Sequence, residues 1–555
     1  MDLARNLIQR INVGDSLTRS AAARPAQLAV VDGPRRWTYA EFNGWVNQIA
    51  RGMAARGYGR GDTLGLASGN SAEFLAVYYA CAKLGLVCVP VNLGWRPDEV
   101  AYVLDHSGAR GLVTETQLVA QVRDAIAKVA AVVDVIVAPG TGADYEAEPA
   151  DRSWTTLAAL AETAGTAGTT GTTGTTGTAG AAEPECFVDD RDAISYLYTS
   201  GTTSFPKGVA GTHVAIYLES MSSALDSGWN FTDRFAAMMP MFHTAQLNAF
   251  CTPAIMVGAT IHVLRGFDPA ALLDLIERER ITQVFGLPMM YRAVLDHPSF
   301  PGSDISSLRR AVYAMAPMPD QLIRRCLDGF GCDFALLFGQ TEMSPVTTLF
   351  RPEHQLSHIG AVGTPITGVQ VAVMGPDGEL LPPGEQGEIV YRGPSTMSEY
   401  LHNEEATAAA FAHGWFHSGD VGRFGDDGVL WFADRYKDVI KTGGENVASI
   451  EVEKAVYAAD PRVAEAVVVG LPHERWSEAI TAVVVAKPGE TIDQAELIGA
   501  LRGQLDGYKV PKAVIVVDEL PKTSTGKIQK NIVRAQHASH YDSGGVLPLT
   551  APGAG

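Results

Sequence analysis

Apolar residues along the chain follow two rhythms. Through about residue 340, short continuous apolar runs alternate with stretches where apolar positions recur every three or four residues. Residues 15 to 60 read as helix, strand pair and helix. The segment from Asp62 to Ala67 and the run from Val87 to Val91 read as buried strands, with a helix from about Ser71 to Leu84 between them. Such alternation predicts α/β layers with largely buried sheets. After residue 360 the runs shorten, with turn signals at Pro376-Asp377-Gly378, Pro383-Gly384-Glu385 and Asp427-Gly428. That texture predicts a small antiparallel subdomain ending near Ala433. Residues 438–537 show a β-α-β texture of their own: a helix from Ala448 to Ala459, then strands at Ala464–Gly470 and Ala479–Val485. The expected fold is multidomain α/β. A large N-terminal domain (1–433) holds two α/β layered subdomains and the small antiparallel β subdomain. A small α+β C-terminal domain (438–537) follows.

Composition narrows the class. At 555 residues the chain exceeds one hydrophobic core, so two or more domains are expected. It is 46% hydrophobic and 19% charged, which is ordinary for a globular protein. A net charge of -19 disfavours a nucleic-acid partner, which would call for a basic face. The six cysteines (Cys81, Cys88, Cys186, Cys251, Cys326, Cys332) form no CxxC pair or zinc spacing, so they read as free thiols in a reducing compartment. No apolar run is long enough to span a bilayer and the N-terminus does not read as a signal peptide, so a cytoplasmic location is expected. Residues 163–182 are almost only Thr, Gly and Ala and predict a flexible surface insertion. The Gly/Pro-rich tail, 538–555, predicts disorder. No heptad run speaks for an oligomer.

Candidate chemistry begins at Tyr198–Gly208, YTSGTTSFPKG, directly after a strand-like run. Small residues let backbone curl around an anion. Thr199, Ser200, Thr202 and Thr203 supply hydroxyls, Gly201 allows close approach, and Lys207 adds a point charge. Together they describe a triphosphate cradle. It is not a Walker loop, because Gly-Lys-[Ser/Thr] does not close it.

This loop resembles that of the adenylate-forming superfamily, which holds acyl- and aryl-CoA synthetases, peptide-synthetase adenylation domains and firefly luciferase. The family loop reads TSG[ST]TGxPKG, and Ser204 here stands at a usual glycine. Further segments match in order. Phe338-Gly339-Gln340-Thr341-Glu342 matches YGxTE. The resemblance gives Thr341 a phosphate contact and Glu342 a Mg²⁺ ion, with Phe338, Gly339 and Gln340 at the nucleotide. Ala316 and Pro317 fall in the segment Tyr313–Pro319, where relatives usually carry a glycine-containing GAP, and are assigned there too. Asp420, ending WFHSGD, and Arg435, in DRYKD, are implied ribose contacts, and Lys437 the interdomain hinge (434–437). Lys441, Gly443 and Gly444, in KTGGEN, resemble the loop that meets the acceptor thiol. Lys527, closing PKTSTGK, is the implied catalytic cation during adenylation.

The resemblance spans about residues 15–537 and is closest in texture to bacterial fatty-acyl-CoA ligases. It implies an ATP- and Mg²⁺-dependent ligase that forms an acyl-AMP and then passes the acyl group to coenzyme A. The C-terminal domain would be a mobile cap. His243, in PMFHTAQLN, is implied to gate the acid pocket or contact the acyl carboxylate, and a structural histidine is the competing reading. In amino-acid-activating relatives an aspartate just after this point binds the substrate amine; here the neighbourhood offers Thr244 and no acid, which disfavours a free α-amino acid. Met289, Met290, Tyr291, Met315, Phe338 and Met343 are candidate apolar lining. An aliphatic acid is the first expectation and an aryl acid the second. A carrier-protein thiol, a nitrogen nucleophile, or a non-catalytic nucleotide-binding role are the alternatives.

Overall fold

The computed structural model describes residues 2–140, 153–166, 182–199, 206–315, 318–523 and 528–541. Two compact units divide the chain: Met1–Val371 with Tyr391–His417, and Ala372–Val390 with Ser418–Gly555.

In the first unit a seven-stranded sheet runs in the order Ser153–Thr156, Asp134–Ala138, Ala109–Glu115, Thr63–Ala67, Val87–Pro90, Ala193–Thr199 and Lys207–Thr212. Neighbours are parallel except the last pair, an antiparallel hairpin at one edge. A second sheet runs parallel through Leu28–Asp32, Thr260–Val263, Arg234–Ala237, Gln283–Gly286, Arg310–Tyr313 and Asp333–Gly339. It turns antiparallel at Val346–Phe350. These are the α/β layers that the apolar runs predict.

The helix Ala72–Leu84 shows why. All 13 of its residues are buried. A helix apolar on every side must be covered on every side. Ser71 caps its start by accepting from Phe74 N, and Gly85 ends it at φ 70°. Each fully buried Leu, Val or Phe side chain there contributes about 1.5–3 kcal/mol.

The first residues of the expected Thr/Gly insertion are helical. Residues 163–166 complete the helix Leu157–Thr166, and 167–181 lie outside the described residues. Leu157 and Leu160 are buried and anchor that helix. It packs so closely on Gly52 that a Cβ there would stand 2.1 Å from the Leu160 carbonyl oxygen.

In the second unit Val463–His473 pairs antiparallel with Ser477–Ala486, and Ala513–Val516 joins the latter in parallel. The hairpin Ile440–Thr442 and Glu445–Val447 completes this five-stranded sheet. The helix Ser449–Ala459 buries Val452 and Val456 in one core cluster, which also takes Leu497 and Leu501 from the helix Gln494–Leu501. The helix Lys530–Gln536 puts Val533 into a second cluster with Val467, Val469 and Val483. Strands within 372–390 and 418–435 group with this unit. A boundary at 433 with a hinge over 434–437 concerns movement, and it stays a proposal.

Residues 538–541, expected within the tail, are described. Tyr541 shares a 2.9 Å hydroxyl hydrogen bond with Thr481 and packs its ring on His473. Residues 542–555 lie outside the described residues. No helix among the described residues is long and apolar enough to cross a membrane.

Candidate active site

The edge hairpin of the first unit sets Thr199 opposite Lys207 and Tyr198 opposite Gly208. Ser200, Gly201, Thr202 and Thr203 lie outside the described residues, as do Ala316, Pro317 and Lys527. Segment 398–401 runs antiparallel beside Lys207–Thr212. Ser398 N donates to the Ala210 carbonyl at 3.0 Å, Ala210 N to that of Glu399 at 3.0 Å, and Leu401 N to that of Gly208 at 2.8 Å. This ladder fixes Tyr400 against the candidate phosphate lysine. The Lys207 ammonium lies 4.9 Å from the centroid of the Tyr400 ring. The Tyr400 hydroxyl donates to Glu342 Oε1 at 2.9 Å. Burial, and then the Glu342 charge, push the Tyr400 phenol up, so it remains a donor at neutral pH.

Glu342 sits in a short turn of 3₁₀ helix, Thr341–Met343, after the strand Asp333–Gly339. Gly339 has φ 154°, and a Cβ there would stand 2.0 Å from the Pro345 carbonyl oxygen. Gln340 N donates to that same oxygen at 2.9 Å. Met397 N donates to the Glu342 carbonyl at 2.7 Å, which ties this turn to the Tyr400 segment. Phe338 is half-buried opposite Thr348, and its carbonyl accepts from Thr347 Oγ1 at 3.1 Å.

The chemistry of these donors suits magnesium. Among the described residues no group of three His, Cys, Asp or Glu side chains could hold a metal ion. Mg²⁺ is commonly held by one or two carboxylates with substrate phosphates and water. A single carboxylate beside a candidate phosphate lysine fits that pattern.

In the second unit Asp420 and Arg435 are cross-strand partners. Arg435 Nε lies 3.4 Å from Asp420 Oδ1, so the two implied ribose contacts stand together. Lys437 is exposed, and its carbonyl accepts from Arg534 at 3.4 Å. Lys441 is exposed on the strand Ile440–Thr442. Gly443 and Gly444, at φ 59° and 89°, form the two-residue turn of the 440–447 hairpin. Positive φ at both positions is what such a turn asks for. Gly443 N donates to the Trp476 carbonyl at 2.8 Å, and a Cβ on Gly443 would meet the indole at 3.1 Å.

A family model described as AMP-binding enzyme matches residues 17–401, and one described as AMP-binding enzyme C-terminal domain matches 451–527. The chain belongs to the AMP-binding enzyme family. It is 36% identical over 522 residues to a feruloyl-CoA synthase of an Amycolatopsis species, covering 94% of this chain and 98% of that one. It is 34% identical over 536 residues to the long-chain-fatty-acid–CoA ligase FadD13 of Mycobacterium tuberculosis, covering 95% and 99%. Among solved structures, ATP-bound MatB from Rhodopseudomonas palustris superposes with a TM-score of 0.84 at 27% identity, covering 96% of this chain and 100% of that one.

This AMP-binding enzyme places its other candidates unevenly. His243 is half-buried at the start of a helical segment, its carbonyl accepting from Leu247 N at 3.1 Å. Thr244 is buried, and its hydroxyl accepts from Asn248 Nδ2 at 3.1 Å. Asn248 Oδ1 in turn accepts from the Tyr78 hydroxyl at 3.3 Å. Tyr291 is core, not pocket lining. It is fully buried against Phe330 and Phe334, and its hydroxyl donates to the Val312 carbonyl at 2.5 Å. Met343 is likewise fully buried, while Met289 is exposed. Met290, Met315 and Phe338 are half-buried. Met315 has φ 68°, a left-handed conformation that costs a non-glycine residue about 1–3 kcal/mol. The resemblance implies a glycine-containing GAP in this segment, and a glycine adopts positive φ without that cost. Tyr400 and Trp476 were not legible as site residues. Gly208 and Tyr400 lie about a third of the chain apart, and the backbone ladder beside the hairpin joins them.

Proposed function

We propose that this AMP-binding enzyme is an acid–thiol ligase that converts a carboxylic acid and ATP into an acyl-AMP and pyrophosphate, then transfers the acyl group to coenzyme A. The observation that carries this reading is the convergence of Lys207 and Glu342 on Tyr400 at the end of the edge hairpin. A fixed cation and a fixed carboxylate there suit a triphosphate with its metal. The relatives' names add the coenzyme A acceptor.

In the first step a carboxylate oxygen attacks the α-phosphorus and pyrophosphate leaves. Two anions must meet, so the step needs positioning and positive charge rather than a protein nucleophile. Lys207 balances charge on the phosphates. Thr199, Ser200, Thr202, Thr203 and Thr341 supply hydroxyl donors, and Gly201 lets backbone approach. Glu342 is the carboxylate the chain offers to Mg²⁺, which draws charge off phosphate oxygens when bound. Asp420 and Arg435 hold the ribose hydroxyls, and Phe338, Gly339, Gln340, Ala316 and Pro317 border the nucleotide. Lys527 sits at the reacting oxygens. In the second step the thiol attacks the acyl carbonyl and AMP leaves. The turn at Gly443 and Gly444, with Lys441, borders the pantetheine, and Lys437 is the pivot between steps. Substituting Lys437→Pro should spare adenylation and impair thiol transfer.

The acid is apolar on this reading. Thr244 offers no charge for an α-amine, and Met290, Met315 and Phe338 remain for lining. A long aliphatic acid is the first choice. An aryl acid is the second, favoured by the 36% identity to the feruloyl-CoA synthase. His243 faces the acid's carboxyl end. A reducing, cytoplasmic setting fits the free cysteines. The test is ATP–pyrophosphate exchange across fatty, aryl and amino acids, then addition of CoA or a phosphopantetheinyl protein. Exchange with no acid, alongside tight ATP binding, would mark a binder and overturn the reading.

A further inference from the structure

We propose that Tyr400 is the positioning residue that sets the metal carboxylate Glu342 and the phosphate cation Lys207 at a fixed separation before substrate arrives. This rests on the function proposed above. A lysine and a glutamate converging on one ligand have a competing option: they can pair with each other. Every such pair would have to break before the triphosphate could enter. Among the described residues, the contact that joins them runs through Tyr400 instead. The face of its ring takes the Lys207 ammonium at 4.9 Å, and its hydroxyl takes Glu342 Oε1 at 2.9 Å. One rigid side chain with two rotatable bonds therefore holds a cation at one surface and an anion at another.

Its own position is over-determined. Leu401 N bonds the Gly208 carbonyl on one side, and Ser398 N and Glu399 O bond Ala210 on the other. Tyr400 N donates to Thr407 Oγ1 at 3.0 Å, and Thr407 Oγ1 donates to the Asn403 carbonyl at 2.8 Å. The neighbour beyond, His402, turns the chain at φ 53° and rests its ring 5.3 Å from that of His106. His106 Nδ1 shares a 2.9 Å hydrogen bond with the Tyr198 hydroxyl. So the same segment is fastened to the hairpin at Gly208 and Ala210, and through His106 to Tyr198. Thr407 and the hairpin backbone hold the tyrosine, and the tyrosine holds the two charges. A group that orients a metal ligand without touching the metal commonly changes metal affinity about 10–100-fold when removed.

The experiment is calorimetric titration of Mg²⁺ into the full-length protein saturated with a non-hydrolysable ATP analogue, and of the analogue alone without metal. Tyr400→Phe keeps the ring over Lys207 and removes the hydroxyl. Mg²⁺ affinity should fall about tenfold, while metal-free analogue binding and the melting temperature hold. Tyr400→Leu also removes the ring, and metal-free analogue binding should then weaken. In a Glu342→Gln background, Tyr400→Phe should cost no further Mg²⁺ affinity. Equal Mg²⁺ affinity in wild type and Tyr400→Phe would overturn the proposal, as would additive losses in the double variant. Wild-type protein that binds neither analogue nor metal would instead sink the ligase reading itself.

Discussion

Two polar clusters in this chain use the same residue types to opposite ends. In the second unit, Asp434 is buried, and Oδ2 accepts from Ser449 N at 2.5 Å and Ser449 Oγ at 2.6 Å. Lys530 donates to that same Ser449 hydroxyl and pairs with Glu453 at 2.9 Å. Glu453 also accepts from Val468 N at 2.9 Å. Every charge there meets several protein partners. In the first unit, among the described residues, Lys207 faces an aromatic ring and the Glu342 side chain takes one phenolic donor. A carboxylate has about four acceptor sites and an ammonium three donors. The first cluster spends its capacity on the fold, and the second keeps capacity for something else. Charged residues in a motif are thus sorted by how many protein partners they already have.

The contrast can be broken at its functional end first. Lys527→Ala should slow pyrophosphate exchange by about 10²–10³, or roughly 2.7–4 kcal/mol, with little change in melting temperature. Unaltered exchange would remove Lys527 from the chemistry. At the structural end, Asp434→Ala should cost about 3 kcal/mol of stability, the low end for stripping one partner from a buried charge network. Urea midpoints read this, and a shift under a quarter of that size would mean the cluster is not structural. Gly339→Ala tests the turn that presents Glu342. It should lose about 1–3 kcal/mol, because its Cβ must displace backbone rather than a side chain. Its Mg·ATP affinity should drop in parallel.

The smallest effect is one of pH. His213 and His262 are fully buried, and burial pulls each imidazole down to about 3. The folded state therefore stays neutral at these sites while the unfolded chain, near the ordinary value of 6.5, takes up protons. Their contribution is present above pH 6.5 and is lost as pH falls toward 3. Stability should drop by about 1 kcal/mol per histidine between pH 6.5 and 5.5. A His213→Asn variant should show a shallower decline than wild type in denaturant titrations across that window.

Much of the architecture was legible because it is written locally. The Ser71 cap, the apolar run to Leu84 and Gly85 define one helix within a residue. The helix from Ser449 and its two following strands also fall within a few residues of the expectation. The site motifs were legible as short strings, and cross-strand pairing does put Asp420 beside Arg435. Long-range placement was not. Tyr291 and Met343 looked like lining because side-chain type does not reveal which face of an element meets the core. Tyr400 lies nearly two hundred positions from Lys207, and its partnership depends on a backbone ladder that no string of residues announces.

The fastening of Lys530 has a mechanical corollary. Only three peptide links separate Lys530 from Lys527, a tether that spans at most roughly 10–11 Å when drawn straight. Lys530 is itself moored to Glu453 and, through Ser449, to the strand that bears Arg435. The α-carbon at position 527 is thus leashed to that of Lys530, and so to the strand that carries Arg435.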